Sequence, residues 1–162
     1  MAGNSGYEGL TDTATEFWRE RLLPLPLEAA LPVDHAYPQR PDGQTLTRAR
    51  TLAAPAPENT LLAAYAALLH RYGAREGDLA VACSGLPVRI AVDTGITFTE
   101  LAARTAAARE EAVAHRVPVS ALVAELDPEP TRAGGWFCNT GFGDTAGDPH
   151  AWDGGPLDLV LH

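Results

Sequence analysis

The sequence predicts an α/β domain. Segments in which apolar residues recur at helical spacing alternate with short apolar runs along the 162 residues. Their order is helix, strand, helix, strand, strand, helix, helix, strand, strand, which is the pattern of the α/β class. The composition is that of a globular protein, with 46% hydrophobic and 20% charged residues. A chain of this length is expected to form one domain with a sizeable core.

The N-terminal end is predicted to hold a loose terminus and one helix. Residues 1–10 are Gly-rich and are expected to be flexible, which assigns 11–162 to the folded domain. Thr13 and Glu16 have the spacing of a capping box, so we expect a helix to begin there. Pro24 is expected to end that helix because proline lacks the N–H that a helix interior needs.

The middle of the chain reads as a crossing loop followed by a strand, a helix and two strands. Residues 24–44 contain five prolines and predict an ordered crossing loop, since each proline fixes φ. Residues 45–52 alternate without a clean apolar face, which predicts an edge strand. Residues 57–73 predict a helix that is apolar on most of its faces and is therefore expected to be buried. Gly73 is expected to be its C-terminal cap. Two continuous apolar runs predict buried strands, at 78–85 and 86–92.

A second long helix is predicted at 97–116. Thr97 and Glu100 form a capping box, and Glu100 is expected to pair with Arg104 one turn later. The helical spacing predicts one core-facing stripe, made of Phe98, Leu101, Ala102, Thr105, Ala108, Ala112 and Val113.

The C-terminal part is predicted to be a short helix and two strands. Pro118 starts the helix, which ends near Asp127. Residues 134–143 alternate and predict a strand, and residues 144–156 predict a loop. The last segment, PLDLVLH (156–162), predicts a strand in which the chain stops.

Charge and cysteine content exclude several classes of function. The net charge is −9 and all 12 basic residues are Arg. That acidic balance argues against binding to nucleic acid or to anionic membranes, which need clustered positive charge. Cys83 and Cys138 form no CxxC pair and suit a reducing cytoplasm. Neither a signal peptide nor an apolar run of membrane-spanning length is present, so a cytoplasmic protein is expected.

Five segments, in this order, resemble the C-terminal lobe of a nonribosomal peptide synthetase condensation domain. They are EFWRERL (16–22), the proline-rich crossing and following strand (31–52), LLAAYAALLHRYGAREGDLAVACSG (61–85), AHRVPVSALV (114–123) and PLDLVLH (156–162). The ordered set carries the resemblance, which covers roughly residues 12–162. It implies a partial, truncated condensation-like domain with one lobe of the chloramphenicol acetyltransferase-like fold, a mixed sheet packed by helices.

The segment AHRVPVSALV resembles the family motif His-Gln-Asp-x-Pro-Phe-x-x-Leu-Val. Four positions match it: His115, Pro118, Leu122 and Val123. Arg116, Val117 and Val119 depart from it. In family terms His115 ends a scaffold helix, and a cation near a helix C-terminus is favourable by roughly 0.3–1 kcal/mol. A catalytic base is the alternative, but a base needs a positioned partner and the sequence shows none.

Elements that the family uses for catalysis are missing. Its His-His-x-x-x-Asp-Gly motif belongs to the N-terminal lobe, and the five histidines here are all isolated. The family loop and the Gly-x-Phe-Val-Asn-Thr motif, which help close the active-site tunnel, are absent between CSG (83–85) and LPVRI (86–90). The likeness of WFCNT (136–140) to that motif is interpreted as coincidence, because it follows the His-x-x-Pro element. No catalytic residue is therefore predicted.

Other residue patterns predict neither a metal nor a cofactor. Four aspartates near the C-terminus lack EF-hand spacing and are interpreted as a solvated acidic loop: Asp144, Asp148, Asp153 and Asp158. The glycines of 134–143 lack the Gly-Lys-Ser/Thr ending of a phosphate loop. Cys138 is a candidate nucleophile, but a buried, inert thiol in a strand is the preferred interpretation. Trp18, Trp136 and Trp152 are interpreted as either core residues or interface anchors, and of these Trp18 and Trp152 are the interface candidates, with Trp152 preferred.

The preferred function is a non-catalytic structural or docking platform for an adenylation domain. Other synthetase domains, including a carrier protein, are further candidate partners, and self-association is expected if a lone lobe exposes an apolar face. The alternative is half of a split condensation enzyme that forms amide bonds when an N-terminal lobe supplies the double-histidine motif. A third hypothesis is an unrelated α/β domain that binds a small molecule.

Overall fold

The computed structural model describes residues 12–23, 27–32, 46–49, 51–73, 77–132, 134–143 and 152–162. Within these ranges the chain forms four helices and four strands: α1 (Asp12–Leu22), α2 (Glu58–Tyr72), β1 (Leu79–Cys83), β2 (Leu86–Ile90), α3 (Phe98–Ala114), α4 (Val119–Leu126), β3 (Thr140–Phe142) and β4 (Leu159–Leu161). The predicted loose terminus, residues 1–10, lies outside the described residues, as do most of the crossing loop and residues 144–151.

The four strands form one mixed sheet in the order β2-β1-β3-β4. β1 and β2 are antiparallel, with Leu79 opposite Ile90 and Cys83 opposite Leu86. β1 and β3 are parallel, and so are β3 and β4. The α/β class and the mixed sheet packed by helices are thus confirmed, and β2 and β4 are the edges of the described sheet.

A two-residue turn joins β1 to β2. Ser84 and Gly85 both have positive φ, 54° and 72°, which is the left-handed pair that a type I′ hairpin requires. Glycine adopts this conformation freely, whereas Ser84 is held in it by hydrogen bonds from a side chain of α3. The Arg109 guanidinium donates to Ser84 Oγ from Nε at 3.2 Å and from Nη2 at 3.1 Å. The tight turn agrees with the direct connection that the sequence predicts here.

Both faces of β1 are covered. Its five consecutive residues are all at most 5% exposed, and successive side chains of a strand point to opposite faces. α2 contributes one buried stripe to this core: Leu62, Ala63, Tyr65, Ala66 and Leu69. Leu68 is 50% exposed and Tyr72 is 62% exposed, so the prediction that α2 is buried over most of its girth was wrong. Gly73 does cap α2, and its N–H donates to Leu69 O at 2.8 Å.

α3 begins with the predicted capping box. Thr97 Oγ1 accepts from Glu100 N at 3.3 Å, and Glu100 Oε2 accepts from Thr97 N at 2.8 Å. The expected interaction between Glu100 and Arg104 is present as charge attraction, which helps to lower the pKa of Glu100, while the Glu100 carboxylate is used for capping. The hydrogen-bond partner of Arg104 is Asp93, whose Oδ2 accepts from it at 2.7 Å. The predicted core stripe is also narrower: Leu101, Thr105 and Ala112 are buried, whereas Phe98 and Val113 are 49% and 43% exposed.

Three local predictions at the strands and at α1 were wrong. The described residues within 45–52 form no strand and are exposed. Residues 134–143 form only the three-residue β3, because Phe137 has a φ of 64° that an extended strand cannot contain. α1 already begins at Asp12, so Thr13 lies inside its first turn and does not cap it. The short helix at α4 and the final strand at β4 are confirmed.

Candidate functional site

His115 lies where α3 ends. It is the C-cap residue, and its N–H donates to Glu111 O at 3.1 Å. The imidazole Nδ1 lies 2.9 Å from the same Glu111 carbonyl, and because a carbonyl only accepts, Nδ1 carries the hydrogen. The ring stacks on Phe17 of α1, with centroids 3.9 Å apart and planes 9° from parallel. Both the side chain and the backbone of His115 are therefore engaged in holding α1 against the end of α3.

Trp18 lies in the core and not on the surface proposed for it. It is 1% exposed, and its Nε1 donates to the carbonyl of His115 at 2.8 Å. The neighbouring Phe17 meets it edge-on at 5.2 Å. Arg21 adds an ion pair with Glu111 of α3. A side chain this buried offers a partner no area to contact, which corrects its choice as an interface residue.

The other three residues of the family motif build the start of α4. Pro118 has extended dihedrals, φ −60° and ψ 138°, and stands at the N-cap position. Its carbonyl accepts from Leu122 N at 3.3 Å, and the Leu122 side chain is 0% exposed. Val123 is half-buried, and its carbonyl accepts from Asp127 N at 3.0 Å where α4 ends. The four motif residues thus shape the corner between α3 and α4.

Asn139 is a buried polar residue that no motif in the sequence marks as functional. Its Oδ1 accepts from Ala29 N at 2.9 Å, and its Nδ2 donates to Ala29 O at 3.0 Å. Nδ2 also donates to Asp158 Oδ2 at 3.0 Å, and the Asn139 carbonyl accepts from Asp158 N at 2.8 Å. One amide therefore joins the segment before α2 to the segment that leads into β4. A lone Asn in an apolar stretch is the only sequence signal for such a clamp.

Trp152 is half-buried and sits on the segment that precedes β4. Its Nε1 donates to Gly155 O at 3.0 Å, and its ring lies directly over Gly154. A Cβ at Gly154 would come within 2.1 Å of that ring. The segment is held to the chain before β3, because Trp136 N donates to Gly154 O at 2.8 Å. Trp152 therefore presents part of a fixed aromatic ring to solvent.

β4 is an exposed apolar edge strand. Leu159, Val160 and Leu161 are 43%, 38% and 43% exposed, and since they are consecutive, both faces of the strand are open. Tyr65 Oη donates to Leu159 O at 3.2 Å and fixes the strand from α2. Exposed apolar edge strands are surfaces on which other chains pair or pack. Trp152 and β4 together form what we call the C-terminal edge surface.

The buried thiols and Tyr65 lie where no substrate can reach them. Cys83 and Cys138 are not disulfide-bonded, and they are 1% and 0% exposed. Burial raises the pKa of the Tyr65 hydroxyl well above its ordinary value, and the nearby Cys138 adds to that rise. Tyr65 therefore remains a neutral hydrogen-bond donor, and its place is structural.

The described residues contain no group of three or more His, Cys, Asp or Glu side chains that could hold a metal ion. Asp158 is engaged by Asn139, Asp153 is exposed, and Asp144 and Asp148 lie outside the described residues. No helix within the described ranges is long and apolar enough to cross a bilayer.

No protein-family model and no curated protein matches the chain. Solved structures do match it. The X-domain from teicoplanin biosynthesis superposes with a TM-score of 0.66 at 25% identity, over 89% of this chain and 41% of the X-domain chain. A complex of the X-domain and OxyB from the same biosynthesis gives 0.63 at 24% identity, over 86% and 38%. The starter condensation domain of rhizomide synthetase gives 0.59 at 21% identity, over 82% and 36%.

The chain spans between 36% and 41% of the length of these solved chains. Most of the chain superposes on part of a condensation-domain fold. The hypothesis of an unrelated α/β domain is therefore wrong. The mixed sheet packed by helices agrees with the same conclusion. The chain is therefore a partial condensation-like domain with the chloramphenicol acetyltransferase-like fold.

Proposed function

We propose that this chain is a non-catalytic docking platform within a nonribosomal peptide synthetase, and that it binds an adenylation domain. The observation that carries the proposal is the fold shared with the X-domain, a protein for which a complex with OxyB has been solved. A condensation-like fold used for binding another biosynthetic protein is the role we transfer to this chain. The choice of an adenylation domain rests on the resemblance to the C-terminal lobe, which packs against that domain in the family.

The C-terminal edge surface is the proposed docking site. Trp152 offers an aromatic ring at low entropic cost, because its indole N–H is already bonded to Gly155 O. Val160 lies at the centre of three consecutive exposed apolar residues. An aromatic side chain and exposed apolar residues are the composition that protein interfaces favour.

The motif residues His115, Pro118, Leu122 and Val123 are proposed to act as scaffold. His115 bonds Glu111 and stacks on Phe17, and its carbonyl receives the indole of Trp18. These contacts use the imidazole to join two helices. No catalytic step is assigned to it. Cys83 and Cys138 are not disulfide-bonded, which fits the reducing cytoplasm in which we propose the protein works.

Titration of the chain with an adenylation domain of a nonribosomal peptide synthetase tests the docking proposal. Val160→Asp places a charge on the proposed surface and should weaken binding at least tenfold. Val113→Asp is the matched control, because Val113 is 43% exposed on α3 and lies away from the surface. Binding that is absent in the unmodified chain, or that both variants weaken equally, contradicts the proposal.

Half of a split condensation enzyme is the second candidate function. The observation that favours it is the coverage of only 36–41% of the solved chains, together with an apolar β4 that a missing lobe would cover. An amide-bond assay with carrier-bound donor and acceptor separates the two. Product formed only after adding a lobe with the double-histidine motif supports the split enzyme, whereas product from this chain alone contradicts both candidates.

A further inference from the structure

Arg89 directs its backbone N–H and C=O toward the outer edge of β2. Residues of an antiparallel pair alternate between facing the partner strand and facing away from it. Ala80 of β1 faces away from β2, because its N–H donates to Leu27 O at 3.0 Å. Arg89 is opposite Ala80 in the ladder, so Arg89 also faces away from its partner strand. Within the described ranges these two backbone groups of Arg89 have no hydrogen-bond partner.

Val160 has the corresponding position on β4. Leu159 faces β3, because its N–H donates to Asn139 O at 3.4 Å. Leu161 faces β3 as well, because its carbonyl accepts from Gly143 N at 2.8 Å. Val160 lies between them and therefore turns its N–H and C=O toward the outer edge of β4. Among the residues that the structure describes, nothing bonds to these two groups, so each edge strand offers an unpaired donor and an unpaired acceptor.

Pro87 limits the register in which a further strand can add to β2. It faces outward like Arg89, but proline has no N–H and can only accept. Arg89 is therefore the residue of β2 at which an added strand can form both hydrogen bonds. In an antiparallel ladder both bonds are exchanged with one opposite residue, whereas a parallel ladder needs two. Val160 is the outward residue of the three in β4, so antiparallel pairing of Val160 with Arg89 fits both edges.

A groove of about 440 Å³ lies beside Arg89 and gives an added strand room. Residues of α1, of β2 and of α3 line this groove, together with the residues next to the strands. Three of the lining residues are Ala91, Ala107 and Ala108, whose short side chains fill little space. Ala107 is exposed and Ala108 is half-buried. Apolar side chains of an added strand can therefore pack on α3 while the strand's backbone pairs with β2. We call this site the β2 groove.

The charges that line the β2 groove largely neutralise one another. Its three arginines are each paired with a carboxylate: Arg21 with Glu111, Arg89 with Asp78 and Arg104 with Asp93. Glu20, which is exposed, is the remaining charged lining residue. The groove therefore favours neither a strongly anionic nor a strongly cationic segment, and it suits a strand without charged residues.

We propose that β4 of a second copy of this chain adds to the outer edge of β2, with Val160 opposite Arg89. Extended segments add to exposed sheet edges through main-chain hydrogen bonds, and neighbouring pockets take their side chains. β4 has an open edge, exposure on both faces and no charged residue among its three. These properties match the edge of β2 and the alanines of the β2 groove. The inference does not depend on the docking of an adenylation domain, which would compete for β4.

The contact joins two different surfaces of the chain and is therefore heterologous. Each assembly keeps one open β2 edge and one open β4 edge, so association continues beyond a dimer as the concentration rises. A three-residue strand covers less area than the roughly 1,200–2,000 Å² that a stable interface buries. The association is therefore weak and requires a high protein concentration.

Two variants that block opposite sides of the contact test the proposal. Val160→Asp disables β4 and keeps the β2 groove, whereas Ala107→Glu fills the groove and keeps β4. Glutamate is a good helix former, so α3 should be preserved. In sedimentation velocity, each variant alone should be a monomer at a concentration where the unmodified chain associates. An equimolar mixture should form a 1:1 dimer and nothing larger, because each copy then has one working surface.

Ala103→Glu is the matched control, since Ala103 is exposed on α3 and does not line the groove. It should associate like the unmodified chain. Association of Ala107→Glu alone to the same extent means that β4 pairs elsewhere, for example with a second β4, and overturns the proposal. A mixture that stays monomeric, or an unmodified chain that never associates, overturns it as well.

Amide hydrogen exchange tests the same contact in the unmodified chain and needs no variant. Exchange reports how often a backbone N–H loses its hydrogen bond. Between a dilute and a concentrated sample, exchange at the N–H groups of Arg89 and Val160 should slow together, at least threefold. The N–H of Leu159, which is already bonded to Asn139 O, is the internal control and should change little. Slowing at Val160 without slowing at Arg89 overturns the proposal.

Discussion

Replacing Trp18 by Phe isolates the contact that joins α1 to the end of α3. The change keeps an aromatic ring in the core but removes the indole N–H that donates to His115 O at 2.8 Å. It also removes part of a side chain that is only 1% exposed. The His115 carbonyl then loses its donor in a partly buried site.

Two effects determine the expected loss of stability in Trp18→Phe. Leaving a buried acceptor without its partner costs about 1–3 kcal/mol. The smaller ring leaves roughly 40 Å³ empty, which costs about 1 kcal/mol at about 24 cal/mol per Å³. We therefore expect Trp18→Phe to lower the free energy of unfolding by about 2–4 kcal/mol. A loss of about 3 kcal/mol shifts Tm by about 6–12 °C in a chain of this size.

Trp152→Phe is the matched control. The substitution is chemically identical and again removes an indole N–H bonded to a backbone carbonyl, at 3.0 Å from Gly155 O, but this bond is exposed. Water replaces it, so we expect a loss under about 1 kcal/mol. Urea unfolding followed by far-ultraviolet circular dichroism measures both variants without relying on tryptophan emission. Equal losses in the two variants would refute the reasoning that burial of Trp18 decides its contribution.

Three further predictions concern the cap of α3, the close packing at Gly135 and the exposed edge strand β4. Thr97→Ala should cost about 1 kcal/mol in urea unfolding, because it removes the cap of α3. Hydrogen bonds from Thr97 lower the pKa of Glu100 in the folded state, so this stabilisation is present above the ordinary Glu pKa and is lost as pH falls through the lowered one. Thr97→Ala keeps the backbone N–H bond to Glu100 and removes only the hydroxyl bond, so unfolding measured from neutral to acid pH should be slightly less acid-sensitive in this variant than in the unmodified chain. Gly135→Ala should cost about 1–3 kcal/mol in the same assay, since its Cβ would lie 2.6 Å from Pro156 O. Light scattering should show self-association through β4 that Val160→Asp abolishes, and a strict monomer of the unmodified chain at high concentration would contradict this.

The sequence predicted the elements whose signals are local. The capping box at Thr97 and the apolar runs of β1 and β2 each have a pattern that depends on neighbours in sequence, and each was found. Pro118 likewise marked the start of α4. The condensation-like fold followed from the ordered set of such segments.

Predictions failed where contacts between residues distant in sequence determine the local structure. The alternation of 134–143 is that of a strand, but the backbone turns at Phe137, and periodicity carries no information about positive φ. Trp18 was a candidate interface anchor with a core position as the alternative, because a tryptophan is typical of both, and only its packing against His115 separates the two. Asn139 was missed because its partners, Ala29 and Asp158, are distant in sequence.

The Asn139 clamp also sets an order in which the chain can fold. Ala29 and Asn139 are 110 residues apart, and closing a loop of that length costs about 4 kcal/mol of chain entropy. At about 5–20 residues per second, roughly 5–20 s pass during synthesis between the emergence of the two residues. The hydrogen bond from Ala80 N to Leu27 O joins residues that are closer in sequence, so it can form earlier than the contact between Ala29 and Asn139. Ala29 therefore cannot form its contact with Asn139 until most of the described part of the chain has been synthesised.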